Sequence, residues 1–255
     1  MRIYVCVKSV PDSAATIKVV AKTKIDERVT FLINPYDEHA LTEAHRLKAA
    51  DPQTEIVAVC LAKSTGETTL RSALAMGADR GILVVSERRY DAIMTARILK
   101  TTIELDGRPD LILTGRESID TEGMQTMFRL ARHFDMPAAT NVVRVEISDG
   151  EAVVTCEKEG GARDMLKLKM PCVLAAGKGL NTPRYPTFPE IVKARKKDIR
   201  ILNVDTLSFL EPEARVELLN LAAVVEERDP QEIAGSPESI ARQLVDILKG
   251  KARVL

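Results

Sequence analysis

The densest run of ligand-type side chains is Gly115-Arg116-Glu117-Ser118-Ile119-Asp120-Thr121-Glu122-Gly123-Met124-Gln125-Thr126. It follows the apolar run Leu111 to Thr114 and leads into helix-like sequence from Met124 to Phe134. Its two glycines permit close backbone approach, Arg116 offers positive charge, and Ser118, Thr121, Gln125 and Thr126 offer hydrogen bonds. Placed at a helix N-terminus, where unpaired N–H groups and the helix dipole favour negative charge, such residues suit a phosphate or a ribose. A polar surface loop that merely caps a helix has the same composition, and both readings stand at this point.

Other chemistry is missing. No GxGxxG follows the first strand and no GxxxxGKS/T occurs, so neither the dinucleotide fingerprint nor the Walker A loop is present. A GxSxG nucleophile elbow is also absent. His39 and His45 fall on different faces of one helical segment and His133 lies near a helix end, positions that suit surface or capping roles. Cys6, Cys60, Cys156 and Cys172 are far apart with no CxxC pair, which disfavours zinc and thioredoxin-type chemistry and fits a reducing compartment, with the cytoplasm as the expected one. Arg195-Lys196-Lys197 reads as a solvated face.

The elements that must position the 115–126 stretch follow from periodicity. Ile3 to Val7, Ile56 to Leu61, Ile82 to Val85 and Leu111 to Thr114 are short apolar runs of the kind buried in parallel sheets. Helical patterns separate them. One begins at Asn34-Pro35, read as an N-cap and a first-turn proline, and turns Ala40, Leu41, Ala44 and Leu47 inward. Others cover Ser64 to Met76 with Gly77 ending the helix, Asp91 to Ile103, and Met124 to Phe134. This alternation predicts an α/β fold: a doubly wound, mainly parallel sheet with helices on both faces. Thr16 to Val20 and Val29 to Ile33 read as an added hairpin.

After Pro137 the pattern turns antiparallel. Val142 to Ile147 and Ala152 to Cys156 flank Asp149-Gly150, a tight-turn pair, and Leu166, Leu168 and Met170 alternate with lysines. The expected organisation is a nucleotide-binding unit over 1–202, with antiparallel strands within about 138–170, and a C-terminal arm over 203–255. The arm ends in a helix capped by Ser236-Pro237, striped with Ile240, Leu244, Ile247 and Leu248, and closed by Gly250. That stripe must pack back on the domain or against a partner subunit.

Composition narrows the function classes. Lys+Arg and Asp+Glu both number 37 in 255 residues, so no net field draws the chain to nucleic acid or an anionic membrane. With Trp absent and aromatics at 4%, stacking platforms for single strands are scarce. No apolar run approaches the roughly 20 residues of a membrane-spanning helix. The N-terminus reads directly as a strand, without the apolar core and cleavage site of a signal peptide.

Taken together, six blocks carry a family resemblance: VKSVPD at 7–12, NPYDEHALTEA at 34–44, SALAMGADRG at 72–81, GRESID at 115–120, the stretch from Val154 through Glu159-Gly160-Gly161 to Pro171, and NTPRYPTFPEIVKARKK at 181–197. In order and spacing they resemble the β subunit of electron-transfer flavoproteins. The resemblance implies an αβ heterodimer that carries electrons from flavin dehydrogenases, such as acyl-CoA dehydrogenases, to an acceptor such as a quinone oxidoreductase. It implies an electron-carrier subunit without its own catalytic constellation, FAD held mainly by the α subunit, and a structural AMP here. In electron-bifurcating members a second FAD takes that place.

Carried over by matched motif, the cofactor site comprises Cys6, Asn34, Pro35, Tyr36, Asp37, Leu61 and the whole run from Gly115 to Thr126. Leu180, Asn181, Pro183, Arg184 and Tyr185 match the loop that docks partner dehydrogenases, with Leu180 as its anchor. Bifurcating members usually read Asp-Gly-Asp and Gln-Val-Gly where this chain has Asp120-Thr121-Glu122 and Gln125-Thr126-Met127, and they tend to lack the block present here as Thr182 to Tyr185. Those differences favour AMP over FAD. The reading from a different class is a free-standing adenine-nucleotide sensor or ATPase domain, against which stand the missing SGGxDS loop and the long C-terminal arm.

Overall fold

A computed structural model describes residues 1–207, 215–224 and 230–254. The strands are β1 (Arg2–Cys6), β2 (Ser9–Pro11), β3 (Val19–Ala21), β4 (Lys24–Ile25), β5 (Phe31–Ile33), β6 (Glu55–Ala62), β7 (Arg80–Val85), β8 (Leu111–Gly115), β9 (Ala138–Ser148), β10 (Glu151–Glu157), β11 (Arg163–Lys169), β12 (Cys172–Ala176) and β13 (Ile199–Asn203). The helices are α1 (Pro35–Ala50), α2 (Glu67–Ala75), α3 (Ala92–Asp106), α4 (Thr126–Phe134), α5 (Phe188–Ala194) and α6 (Pro237–Ile247).

One large sheet has the order β11-β10-β9-β12-β8-β1-β6-β7-β13. From β9 to β13 every neighbouring pair is parallel, and β10 and β11 are added antiparallel. Side chains alternate across it. Ile3, Val5, Ala58, Cys60, Leu111 and Leu113 enter a core under α1 and α2, whereas Tyr4, Cys6, Val57, Val59 and Ile112 enter a second core under α3 and α4. Period-two alternation therefore yields two apolar faces, which is why these strands read as continuous apolar runs. Burial of each such aliphatic side chain contributes about 1.5–3 kcal/mol.

The chain builds outward from β1 to β6 and β7, then crosses back to place β8 on the other side of β1. The order reverses between β1 and β8. In doubly wound sheets the loops diverge at that point and leave a crevice outside the carboxyl ends of the strands.

Several expectations require correction. Thr16 to Val20 does not pair with Val29 to Ile33. Instead β2 pairs antiparallel with β5, which buries Val10 and Ile33, and β3 pairs with β4. Asn34 does not cap α1 with its side chain; it reaches away to the 115–126 loop. Helix α4 starts at Thr126, not Met124, because Glu122 (φ 48) and Met124 (φ 47) hold left-handed backbone that no helix can include. Gly250 does not close the final helix. The coil continues as a wider turn over Leu248–Ala252, and Arg253 (φ 53) takes the left-handed terminating position.

Other features agree with the sequence. Asp149 (φ 51) and Gly150 (φ 76) both adopt positive φ in a two-residue turn joining β9 and β10, as a twisted hairpin requires. Gly77 (φ 127) follows α2, and Ser236 caps α6 by accepting from the Ser239 N–H. Elements without a sequence expectation include the short strands β2 and β4, strand β13, which extends the parallel sheet beyond β7, and the short helix α5. No described helix is long and apolar enough to cross a membrane.

Candidate functional site

The loop after β1, the start of α1 and the loop after β8 meet at the switch point. Asp37, on the first turn of α1, is buried and lies astride it: one carboxylate oxygen accepts the Lys8 N–H at 2.7 Å and the other the Gly115 N–H at 2.9 Å. Burial pushes this carboxyl up to about 7, against the hydrogen bonds from Lys8, Asn34 and Gly115 that favour the ionised form. A backbone N–H from each side of the crevice is thus tied to one side chain.

Asn34 makes the second tie. Its amide donates to the Glu117 carbonyl at 2.8 Å and accepts the Ile119 N–H at 3.1 Å, pinning the long loop by its backbone. Pro35 opens α1, where a missing N–H leaves no intrahelical bond unmade. A Cβ on Gly115 would lie 2.6 Å from the Tyr36 Cβ, so only glycine lets strand β8 pass this close to α1. The Arg116 guanidinium stacks 4.9 Å from the centre of the Tyr36 ring, is held by Glu117 at 2.6 Å, and donates to Asn141 at 3.2 Å.

Lys8 makes the third. Its ammonium lies 2.6 Å from an Asp120 carboxylate oxygen, 3.1 Å from the Ser118 hydroxyl and 3.3 Å from that of Thr121. The first acidic group of the loop tip is thereby neutralised. Beyond it, Gly123 has no atom within 4 Å of where its Cβ would lie, so the loop faces open space there. Helix α4 then begins with no side-chain cap on Gln125, whose own amide oxygen accepts from Arg129 at 2.6 Å. The first N–H groups of α4, with the Thr126 hydroxyl beside them, are therefore available to an acceptor.

Cys6 ends β1 within the α3–α4 core. Burial, then Asp37 and Cys60, push its thiol up to about 12, so it offers packing surface and not a thiolate. Leu61, near the end of β6, packs beside the smaller cluster of Val84, Met94 and Ile98. The structure thus brings together Asn34 to Asp37 and the Gly115 to Thr126 loop, with Cys6 at the foot of the crevice. Lys8 and Asn141 were not singled out in the sequence. Lys8 was readable as the one cation in the loop after β1, whereas Asn141 gave no local signal beyond a polar residue in a strand.

The second group of residues leaves the neighbouring strand β12. Gly179 (φ 101) turns the chain, and Leu180 is half-buried against the α1–α2 core. The Asn181 amide oxygen accepts from the His39 ring Nδ1 at 3.0 Å, and its amide nitrogen donates to the His39 carbonyl at 3.0 Å. After the half-buried Pro183, the Arg184 N–H donates to Thr42 at 3.1 Å and its side chain reaches the Met76 carbonyl and Glu190. Tyr185 is 81% exposed, and Phe188, which the sequence reading passed over, is 77% exposed. Helix α1 therefore carries residues of both groups: Asp37 at the crevice, His39 and Thr42 under the 180–185 loop.

A doubly wound sheet with polar loops clasped over its switch point defines an α/β protein of the type that takes ligands at the carboxyl edge of the sheet. Residues 22–207 match the family pattern of the electron transfer flavoprotein domain. Over its full length the chain is similar to proteins named electron transfer flavoprotein subunit beta: 34% identical to the one from Homo sapiens, covering 99% of it, and 35% identical to that of Bradyrhizobium diazoefficiens, covering all of it. A relative from Arabidopsis thaliana, named as the mitochondrial β subunit, is 34% identical, again over the whole of both chains. The chain belongs to the electron transfer flavoprotein family, as a β subunit. Membership implies an association with flavin and nucleotide, and a β subunit implies an α subunit.

Proposed function

We propose that this chain and an α subunit form an electron carrier that passes electrons from flavin dehydrogenases, such as acyl-CoA dehydrogenases, to an acceptor such as a quinone oxidoreductase. In this reading the chain itself is a carrier subunit and not a catalyst. FAD, held mainly by the α subunit, supplies the redox chemistry when bound. This chain holds a structural AMP between the Lys8 loop, Asn34 to Asp37 and the Gly115 to Thr126 loop. The observation that carries the assignment is the triple clasp at the switch point, by Asp37, Asn34 and Lys8, which ends at an uncapped helix N-terminus. Backbone N–H groups and the Thr126 hydroxyl there suit a terminal phosphate. A hydroxyl at Thr126 suits a terminal phosphate better than a continuing diphosphate chain. This reading favours AMP over a second FAD.

In the same reading Leu180, Asn181, Pro183, Arg184 and Tyr185 dock the dehydrogenase, and the unit over 1–202 is followed by an arm that clasps the α subunit. The described part of the arm touches the chain's own body in several places: Val204 and Leu207 are buried beside Val84, Met94 and Ile98, the Arg215 N–H donates to Asp91 at 2.8 Å, and the Leu221 N–H donates to the Lys22 carbonyl at 2.8 Å. Its terminal helix α6 contains no buried residue and leaves Leu244 46% exposed, which favours a partner over the chain's own surface. Four unpaired thiols fit a reducing compartment, here the cytoplasm.

The test is composition. Denaturing the purified heterodimer and separating the released compounds is expected to yield one FAD and one AMP per dimer. Two FAD per dimer would replace the AMP assignment with the bifurcating type, and a monomer that hydrolyses ATP would overturn the carrier reading.

A further inference from the structure

The face of the sheet opposite the 180–185 loop carries a groove between α3 and α4. Ile93, Gln125, Phe128, Arg129, Arg132 and His133 line it, and its volume is about 610 Å³. Phe128 is 45% exposed on a helix whose inward positions, Met127, Leu130 and Ala131, already fill the core. An aromatic ring left at the surface among cations is a feature of association sites more than of solvent-facing helices.

The charge here is one-sided. Arg97 and Lys100 of α3 and Arg129 and Arg132 of α4 surround His133, and the carboxylates that answer them are Glu104, 2.7 Å from Lys100, and Asp135, 3.1 Å from Arg132. Arg97 and Arg129 have no ion-pair partner among the described residues, and the buried Arg129 Nε has no hydrogen-bond partner there. Asp91, at one end of the groove, is already occupied by the Met94 and Arg215 N–H groups. Burial, and then the four cations, hold His133 below its usual range, so the imidazole is neutral at pH 7 and the excess charge is that of the arginines. Since the whole chain is formally neutral, this patch is a local concentration of charge and not a reflection of a basic protein.

We infer that this groove docks an acidic segment of the α subunit, with Phe128 as the apolar anchor and Arg97, Arg129 and Arg132 as the cationic contacts. The assignment rests on the heterodimer proposed above. Two placements favour that occupant. The groove lies over the α3–α4 core whereas Leu180 packs on the α1–α2 core, so a permanent partner bound here leaves the 180–185 loop free for a transient one. The arm also runs past the groove's edge, because Arg215 is tied to Asp91, the N-cap of α3, two residues before Ile93.

The experiment is sedimentation of the co-produced αβ complex across a dilution series at low and high salt. For the wild-type complex, Kd is expected to rise with salt. Arg97→Glu/Arg132→Glu is expected to raise Kd at low salt by about tenfold or more and to flatten its salt dependence, because charge contacts at an interface govern both. Phe128→Ala, whose side chain is not needed for the core, is expected to weaken the complex to the same extent at both salts. An intact wild-type complex whose Kd and salt dependence are unchanged in both variants overturns the groove assignment alone. A wild-type chain that stays monomeric beside co-produced α subunit overturns the heterodimer, and the groove assignment with it.

Discussion

At Gly115 the backbone of β8 passes so close to α1 that a Cβ would approach the Tyr36 Cβ at 2.6 Å and the Tyr36 carbonyl carbon at 2.9 Å, besides an oxygen of Asp37. Two of those neighbours are rigid parts of a helix, so they cannot yield as a flexible side-chain end would. Gly115→Ala must therefore shift β8 or α1 and strain the Asp37 clasp, at an overpacking cost of about 1–3 kcal/mol. For a chain of this size that corresponds to a Tm lower by about 2–10 °C. Nucleotide released from the denatured protein is expected to fall as well. A variant with wild-type Tm and wild-type nucleotide content would show that the crevice is looser than the clasp implies. Leu180 offers a different kind of test, because it is half-buried and its proposed role lies with a partner. Leu180→Ala is expected to slow electron transfer from the dehydrogenase while leaving flavin content unchanged. Equal rates in the two forms would remove Leu180 as the anchor and turn attention to the more exposed Tyr185 and Phe188.

At the scale of elements, α5 shows how a short helix is held in place. It has seven residues, too few to be stable by itself, and Thr187 and Glu190 close a reciprocal capping box at its start. Glu190 also pairs with Arg184 at 2.6 Å, which ties the helix to the 180–185 loop. The Arg184 guanidinium, and then the Thr187 N–H and hydroxyl, bring the Glu190 carboxyl down from 4.5 to about 2. A lowered folded-state pKa means the stabilisation is complete above 4.5 and is lost as pH falls towards 2. Unfolding followed between neutral and acidic pH should therefore show wild type losing more stability in that window than Glu190→Gln, which has no charge to titrate. Parallel curves for the two proteins would mean that the ion pair is screened away at the surface.

The same elements show what was legible in the sequence. Strands β1, β6, β8 and β12 were readable because both of their faces are buried, so each is a continuous apolar run. Strand β13 was not, because it is the sheet's edge with one neighbour, and Ile201 stays 60% exposed in a run interrupted by Arg200. Helix α5 was missed although Thr187 and Glu190 stand at capping-box spacing, since its seven residues hold too few turns to display a period. The candidate site was legible as a loop but not as a clasp. Asn34 reads locally as a helix cap, and only tertiary structure turns it towards Glu117, far along the chain. Lys8 and Asp37 likewise find their partners across the crevice, where sequence spacing carries no information.

At the scale of the molecule, the sheet and the arm obey different physics. The sheet unit has two buried cores and a cationic and anionic network at the far end of its strands, where Arg80 joins Glu55 at 2.7 Å and Asp106 at 2.7 Å, and Tyr4 donates to Asp106 at 2.7 Å. Nothing in that unit depends on α6 for burial, since no residue of α6 is itself buried. A chain shortened by residues 236–255 should then fold with a Tm close to that of the full chain, because removing an exposed helix leaves both cores intact. The heterodimer should respond in the opposite way. Burying the stripe of Ile240, Leu244, Ile247 and Leu248 against a partner is worth about 1.5 kcal/mol or more per side chain, so its loss should weaken the complex by at least tenfold. Thermal unfolding of the isolated chain and sedimentation of the complex separate the two effects. A large fall in Tm with unchanged assembly would show instead that α6 belongs to the fold of its own chain and that the arm closes on itself.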